Sequence, residues 1–281
     1  MDPSAGTGNW ETFAIPLEDM FAIAAEWKQK LGAIEKPWLC WNVSPRWCQL
    51  QQKLIRHVGW TPVVGFDPRA ATPKLVEGAV LVDFNEKLQL PVLWPHVPLE
   101  FAFLFIADRI AYWHADLLVR LPVMEQLAAL FASLKDGQMA AVLDRGGLRR
   151  RFRYKLHRYW ELCGCSTRAA SENQFYNGTG WWRHFELHPK CTLEQERTYR
   201  RKYHWDSGVG ILYWKNKYRG SVINVDRRLV DEGHCSEIGH KNYRKAPRHF
   251  DSLRDLTAEI DMNYSIEEVA ARLGIAHLLE E

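Results

Sequence analysis

The sequence predicts an α/β fold, with a mostly parallel, Rossmann-like sheet followed by an irregular, aromatic-rich second half. A strand, a helix and a second strand follow one another over residues 38–67, which is about the length of a parallel crossover. Further apolar runs alternate with helical patterns as far as residue 143. After Gly146-Gly147 the chain becomes basic and then rich in glycine and aromatic residues, so we expect less regular structure there.

Apolar spacing and end signals place the elements of the first half. Apolar residues recur at helical spacing from Leu17 to Leu31, and Gly32 follows as a stop. Ser44-Pro45 is typical of a helix start, with proline at the first helical position. We expect strands at 38–43, 61–66, 79–84, 109–113 and 139–143, and helices at 17–31, 45–59, 100–107 and 121–134.

The second half carries fewer regular patterns. Residues 211–214 and 222–225 predict a hairpin around a polar turn at 215–220. Ser265-Ile266-Glu267-Glu268 fits a capping box, so a last helix is expected to run to Leu273 with Gly274 as its stop. The sequence has no internal repeat and no low-complexity linker, which favours one domain over residues 1–281.

Composition excludes several classes of protein. The 281 residues are 47% hydrophobic and 25% charged, an ordinary globular mixture that argues against disorder. The net charge of +3 gives no global basic field, so binding to nucleic acid or membranes would need a local patch. No stretch approaches the roughly 18 apolar residues of a membrane helix. The acidic start Met1-Asp2 does not fit a signal peptide, so we expect a cytoplasmic protein with reduced cysteines.

The best polar cluster at a predicted strand end is His114-Ala115-Asp116, directly after the strand at 109–113. Ligands of open α/β sheets lie outside the carboxyl ends of the strands, and alternate residues point to one side. His114 and Asp116 could therefore reach a shared metal ion or diphosphate. The alternative is structural, with Asp116 capping a loop and His114 packing against its neighbours.

Four stretches of the chain, in order, carry a resemblance to a known family. Residues 110–119 resemble the strand of GT-A glycosyltransferases that ends in an Asp-x-Asp motif. The β-α-β unit at 38–67 resembles the nucleotide-binding start of that family, and residues 177–182 resemble its acceptor-side segment. Glu232-Gly233-His234 resembles the late histidine that approaches the metal and the diphosphate. The similarity covers about residues 36–240 as an order of features.

The resemblance implies an enzyme that transfers a sugar from a nucleoside-diphosphate donor to an acceptor with the help of Mn²⁺ or Mg²⁺. It divides the chain into a tail and helix (1–35), a nucleotide-binding half (36–145) and an acceptor half with the C-terminal helix (146–281). Since His114 stands where the motif has its first aspartate, Mn²⁺ suits the site better than Mg²⁺.

The same resemblance assigns roles to single residues. The metal would be held by His114, Asp116 and His234. Asp116 would serve catalysis through that metal, and Glu186 and Asp206 are candidates for a base near the acceptor hydroxyl. Substrate binding would involve Asp67 and Asp83 at the nucleoside, Arg149 and Arg151 at the diphosphate, and Trp181 and Trp182 on the acceptor side. Asp67 and Asp83 also fit ordinary turn aspartates.

Two other interpretations are open from the sequence. The basic run 149–158 is interleaved with aromatic residues, which in a non-catalytic protein would bind nucleic acid or another polyanion. Charge runs of this kind are also common as solvated faces. A zinc site is the second alternative, although the C-x-x-C spacing is missing. Its ligands would come from Cys163, Cys165, His188, Cys191, His234 and Cys235.

Overall fold

Seven strands form one sheet with helices on both faces, which confirms the predicted α/β class. The structure, a computed structural model, describes residues 17–42, 44–66, 72–84, 86–87, 96–144, 158–181, 208–234 and 265–280. The strands are β1 (Pro37–Trp41), β2 (Thr61–Phe66), β3 (Val80–Asp83), β4 (Arg109–Trp113), β5 (Gln138–Asp144), β6 (Arg158–Thr167) and β7 (Ser221–Val225). The helices are α1 (Leu17–Leu31), α2 (Pro45–His57), α3 (His96–Glu100), α4 (Ala102–Phe105), α5 (Leu121–Ala132), α6 (Arg168–Tyr176), α7 (Val209–Lys217) and α8 (Ile266–Leu273).

The order of the strands places a topological switch point beside β4. The sheet runs β3-β2-β1-β4-β6-β5-β7, and β6 is antiparallel to both of its neighbours, whereas the other pairs are parallel. The chain builds outward from β1 to β3 and then returns to place β4 on the other side of β1. In this class of sheet, ligands commonly bind at such a switch point, outside the carboxyl ends of the strands, here those of β1 and β4.

Strand alternation divides the core into two layers. Trp38 and Cys40 of β1 pack in one layer with α2, α5 and α8, and Leu39 and Trp41 pack in the other with α1, α4, α6 and α7. Both layers are built from fully buried side chains, so all of β1 is shielded from water. A strand buried on both faces reads as a continuous apolar run, as Pro37–Trp41 does.

Local end signals predicted the helix boundaries well. Proline opens α2 directly after Ser44, as expected. At α8 the Ser265 hydroxyl accepts from the Glu268 amide and the Glu268 carboxylate accepts from the Ser265 amide, which confirms the capping box. A cap of this kind contributes about 1 kcal/mol. Gly274 ends the helix in the left-handed region with φ 71°.

The predicted hairpin at 211–225 is wrong. Residues 209–217 form a helix, and β7 pairs in parallel with β5 instead of returning along 211–214. A short apolar run such as 211–214 fits both the two-residue period of a strand and the roughly 3.6-residue period of a helix. Here Ile211 and Trp214, three residues apart, are both buried, as expected for one face of a helix. Gly208, at φ 76°, lies against the backbone of Tyr159, where a side chain would collide.

Other differences concern length and regularity. The buried helix expected at 100–107 is two short helices, α3 and α4, which together span 96–105. The segment 158–176, where less regular structure was expected, forms the ten-residue β6 and the helix α6. Among the helices of the described ranges, none is long and apolar enough for a membrane crossing.

Candidate functional site

The candidate site begins where β4 ends. The amide of His114 donates to the carbonyl of Leu162 at 2.8 Å, which extends the pairing of β4 with β6 by one step. The amide of Leu117 then donates back to the carbonyl of His114 at 3.2 Å. This bond closes a tight turn that holds Asp116 beside the carboxyl end of β4, next to the switch point of the sheet.

Gln51 of α2 supports this turn from the core. Its side-chain amide donates to the carbonyls of His114 (2.7 Å) and Leu117 (2.8 Å), the two residues that flank the turn. Gln51 is fully buried, so these carbonyls are satisfied by a side chain and not by solvent. A buried amide with two such bonds restricts the turn that carries Asp116.

His234 reaches the same place from a late segment of the chain. It follows a short 3-10 helix, Asp231–Gly233, and forms an isolated antiparallel bridge with Leu117. The amide of Leu118 donates to the carbonyl of Gly233 at 3.1 Å. A Cβ at position 233 would collide with the carbonyl oxygen of Leu118, so glycine allows the two backbones to approach this closely.

Two imidazoles and one carboxylate therefore converge, as the sequence predicted. One potential ligand atom from each of His114, Asp116 and His234 lies within 4.8 Å of the others. Nδ1 of His114 is 3.6 Å from Oδ1 of Asp116, and Nε2 of His234 is 3.7 Å from Oδ2 of Asp116. In the part of the chain that the structure describes, this is the one group of three or more such residues close enough to share a metal ion.

A second carboxylate, Glu161, was missed by the sequence reasoning. Its Oε1 lies 3.4 Å from Nε2 of His114, and its side chain is 17% exposed. Glu161 comes from β6, the strand that pairs with β4. The available signal was an acidic residue within the apolar run Tyr159-Trp160-Glu161-Leu162-Cys163, because such a residue needs a partner in a covered sheet.

The two carboxylates keep His114 charged. Burial lowers the pKa of its imidazole, but contacts with Asp116 and Glu161 and the charges of both raise that pKa to about 10. Burial raises the pKa of Asp116, yet the nearby His114 and His234 outweigh burial and hold that pKa below its usual value. Without a bound cation, His114 is thus an imidazolium ion between two carboxylates.

His234 is in the opposite state. Burial lowers the pKa of its imidazole to about 4, against the attraction of Asp116, and the positive charge of His114 adds to the decrease. Its Nε2 is buried and has no hydrogen-bond partner within the described part of the chain. Neutral imidazole is the form that binds metal ions. A buried nitrogen that has no hydrogen-bond partner and lies beside a carboxylate is typical of a metal ligand. A bound cation would satisfy the lone pair of this nitrogen.

The donor set favours some cations over others. Imidazole nitrogen suits Zn²⁺, Fe²⁺ and similar transition ions and is acceptable to Mn²⁺, whereas Mg²⁺ prefers oxygen ligands. With His234 beside His114, two of the three donors are nitrogen. The site therefore fits Mn²⁺ better than Mg²⁺.

The other predicted residues lie elsewhere. Asp83 ends β3, and two strands separate it from β4, so it is roughly 14 Å from the group at the usual strand spacing. Trp181 is buried and packs edge-on against Tyr112 with ring centroids 5.3 Å apart. Its burial assigns this ring to core packing and not to an exposed acceptor surface. Asp67, Arg149, Arg151, Trp182, Glu186 and Asp206 lie outside the described residues.

The residues of the two alternative interpretations are only partly described. Cys163 and Cys165 are buried in β6, and burial raises the pKa of both thiols well above its usual range, which opposes the thiolate form that zinc binds. His188, Cys191 and Cys235 lie outside the described residues, as does most of the basic run at 149–158.

Comparison of the chain with protein-family models, with curated proteins and with solved structures gives no match. The group of polar side chains at the carboxyl end of β4 is therefore the basis for a functional assignment. This group combines His114, charged and between two carboxylates, with His234, neutral and with a buried Nε2 that has no hydrogen-bond partner among the described residues.

Proposed function

We propose that this protein transfers a sugar from a nucleoside-diphosphate donor, with a divalent cation held by His114, Asp116 and His234. The observation that carries the proposal is the convergence of these three side chains at the carboxyl end of β4. That edge lies beside the switch point of the sheet, where ligands of this class of fold bind. The sequence resemblance to GT-A glycosyltransferases assigns the metal to these same three residues.

The chemistry needs positive charge near a leaving diphosphate. A bound Mn²⁺ would neutralise the negative charge that develops on that group. The carboxylates of Asp116 and Glu161, on either side of His114, would supply negative charge to balance the cation. Glu186 and Asp206 are the proposed bases for an acceptor hydroxyl.

The protein's own residues define the site before any donor arrives. Gln51 fixes the turn that carries Asp116, and the bridge between Leu117 and His234 fixes the late segment. Preorganised ligands reduce the entropy lost on binding. We therefore expect the cation site to form in the protein without donor, with the donor adding affinity through its diphosphate.

A thermal-shift panel tests the proposal. Nucleoside diphosphates and nucleotide-sugars, each with and without Mn²⁺, are added to the wild type, to Asp116→Asn and to Asp108→Asn. A ligand bound only by the folded protein raises its apparent stability. We expect stabilisation by at least one nucleotide-sugar that requires Mn²⁺ and disappears in Asp116→Asn.

Asp108→Asn is the matched control because this aspartate precedes β4 at its opposite end and its side chain is 56% exposed. It should respond to the ligands as the wild type does. A failure of every nucleotide-sugar to stabilise the wild type with Mn²⁺, or an unchanged response in Asp116→Asn, contradicts the proposal. Release of free nucleoside diphosphate from the stabilising donor then measures turnover.

A further inference from the structure

We propose that Glu161 is a positioning residue. Its carboxylate accepts a hydrogen bond from the Nε2–H of His114, which leaves Nδ1 as the ring nitrogen that binds the cation. The inference rests on the cation site of the proposed function and deepens it. It assigns a role to a side chain from β6 and specifies which of the two ring nitrogens binds the metal.

The pairing of two strands brings Glu161 to the site. Trp113 at the end of β4 pairs with Cys163 of β6, and the amide of His114 donates to the carbonyl of Leu162. The next residue of β6 is Glu161, so its side chain stands beside the ring of His114. The pairing of β6 with β5 shifts register between Trp160 and Gly164, so Glu161 lies in an irregular part of the strand, a feature that commonly re-aims a side chain beside a functional site.

The two nitrogens of His114 face different carboxylates. Nε2 lies 3.4 Å from Oε1 of Glu161, and Nδ1 lies 3.6 Å from Oδ1 of Asp116. The second oxygen of Asp116 lies 3.7 Å from Nε2 of His234, so the carboxylate that faces Nδ1 of His114 also faces His234. A cation held between Asp116 and His114 would therefore bind Nδ1.

Glu161 is placed to contact the ring of His114 and not the cation itself. The three ligand atoms that lie within 4.8 Å of one another come from His114, Asp116 and His234, and that group does not include Glu161. Metal-binding histidines commonly donate their other ring N–H to a carboxylate, which fixes the ring and makes it a stronger ligand. Removal of such a partner typically lowers metal affinity by about 10–100-fold.

The chain contains a second histidine and glutamate pair that serves as a control. His57 at the end of α2 has its Nε2 3.5 Å from Oε1 of Glu125 in α5, almost the same separation as in the pair of His114 and Glu161. Both side chains are largely exposed, and neither belongs to the group of potential metal ligands. Loss of Glu125 should therefore leave metal binding unchanged.

The test uses Zn²⁺ as a diamagnetic probe of protein labelled with ¹⁵N in histidine. Long-range proton–nitrogen spectra of the loaded wild type should show His114 with a metal-bound Nδ1 and a protonated Nε2. Calorimetry with Zn²⁺ should show a loss of about 10–100-fold in affinity for Glu161→Leu. Glu161→Gln keeps an oxygen that accepts from Nε2 and should retain most of the affinity, and Glu125→Leu should bind as the wild type does.

Several results would overturn the inference: a His114 bound through Nε2, wild-type affinity in Glu161→Leu, or no Zn²⁺ bound by the wild type. If Glu161→Leu does not fold, the spectrum of Glu161→Gln decides the matter: replacing the carboxylate by an amide should shift the signal of the His114 Nε2–H, and an unchanged signal would overturn the inference. Zn²⁺ held through Nδ1 in a protein that turns over no nucleotide-sugar would support the inference and contradict the proposed function. Turnover of a nucleotide-sugar by the wild type, together with equal Zn²⁺ affinity in the wild type and Glu161→Leu, would support the proposed function and contradict the inference.

Discussion

His114 and His234 are neighbours with ring centroids 5.7 Å apart, yet their charges differ. His114 lies between two carboxylates, which raise its pKa to about 10 against the effect of burial. Burial lowers the pKa of His234 to about 4 and outweighs the attraction of Asp116 and Asp231. Contacts with two carboxylates thus outweigh burial at His114, whereas burial prevails at His234. The His114 ring must lose a proton before it can bind a cation, whereas the His234 ring is already neutral at pH 7.

The supports of the two histidines also differ. The turn after His114 is held by the fully buried amide of Gln51. The segment before His234 is held by Arg120, which donates to the carboxylate of Glu232 and to the carbonyl of Arg272 at the protein surface. Buried hydrogen bonds are costly to break, whereas exposed ion pairs contribute little, so the two sides should respond unequally to substitution.

The largest expected effect comes from pH, and it separates the two histidines. At neutral pH His114 carries a proton that a cation must displace, because its pKa is about 10, whereas His234 is already neutral above pH 5. Affinity for Mn²⁺ should rise by about tenfold per pH unit between roughly pH 6 and 9, with one proton released per ion. Calorimetry in buffers of different ionisation enthalpy counts the protons. A pH-independent affinity across this range would mean that His114 is not a ligand.

The second prediction uses two adjacent glutamines that are both fully buried. Gln51 holds the turn at the site, whereas Gln52 donates to the carbonyl of Lys74 and accepts from the amide of Val76, away from the site. Gln51→Met and Gln52→Met should each lower the free energy of unfolding by about 1–3 kcal/mol per backbone group left unsatisfied. Only Gln51→Met should also weaken Mn²⁺ binding. Urea unfolding and Mn²⁺ titration of both variants measure this, and equal loss of Mn²⁺ affinity in both would show a general effect on stability.

The smallest effect is expected at the surface support. Arg120→Gln removes the ion pair with Glu232, and both side chains are 45% exposed. The urea midpoint should shift slightly at low salt, and the difference from the wild type should vanish near 1 M salt, where the screening length is about 3 Å. A large shift that persists at high salt would show that the late segment depends on Arg120 for its position.

Features of the fold that depend on residues close in sequence could be predicted, whereas features that depend on contacts between distant residues could not. The unit β1-α2-β2, the capping box at Ser265 and the strand end at His114 depend on neighbouring residues, and they were predicted correctly. Glu161 was missed because only the pairing of β4 with β6 brings it to His114. The helix α7 was predicted as a strand because its short apolar run fits both periods.

The approach of His234 to Asp116 had a different origin. No local pattern predicts it, since more than one hundred residues separate the two positions in the sequence. Only the resemblance to GT-A glycosyltransferases suggested it, and the bridge between Leu117 and His234 now gives its structural cause. The burial of Trp181 also depends on distant contacts, here with Tyr112.

The central claim is that His114, Asp116 and His234 together hold one divalent cation. Titration with Mn²⁺, followed by the loss of the free-ion electron paramagnetic resonance signal, tests it most directly. We predict one ion bound per wild-type chain and per Asp108→Asn chain, and strongly weakened binding in His114→Ala, Asp116→Asn and His234→Ala. Undiminished binding in any of these three variants, or no binding by the wild type, would contradict the claim.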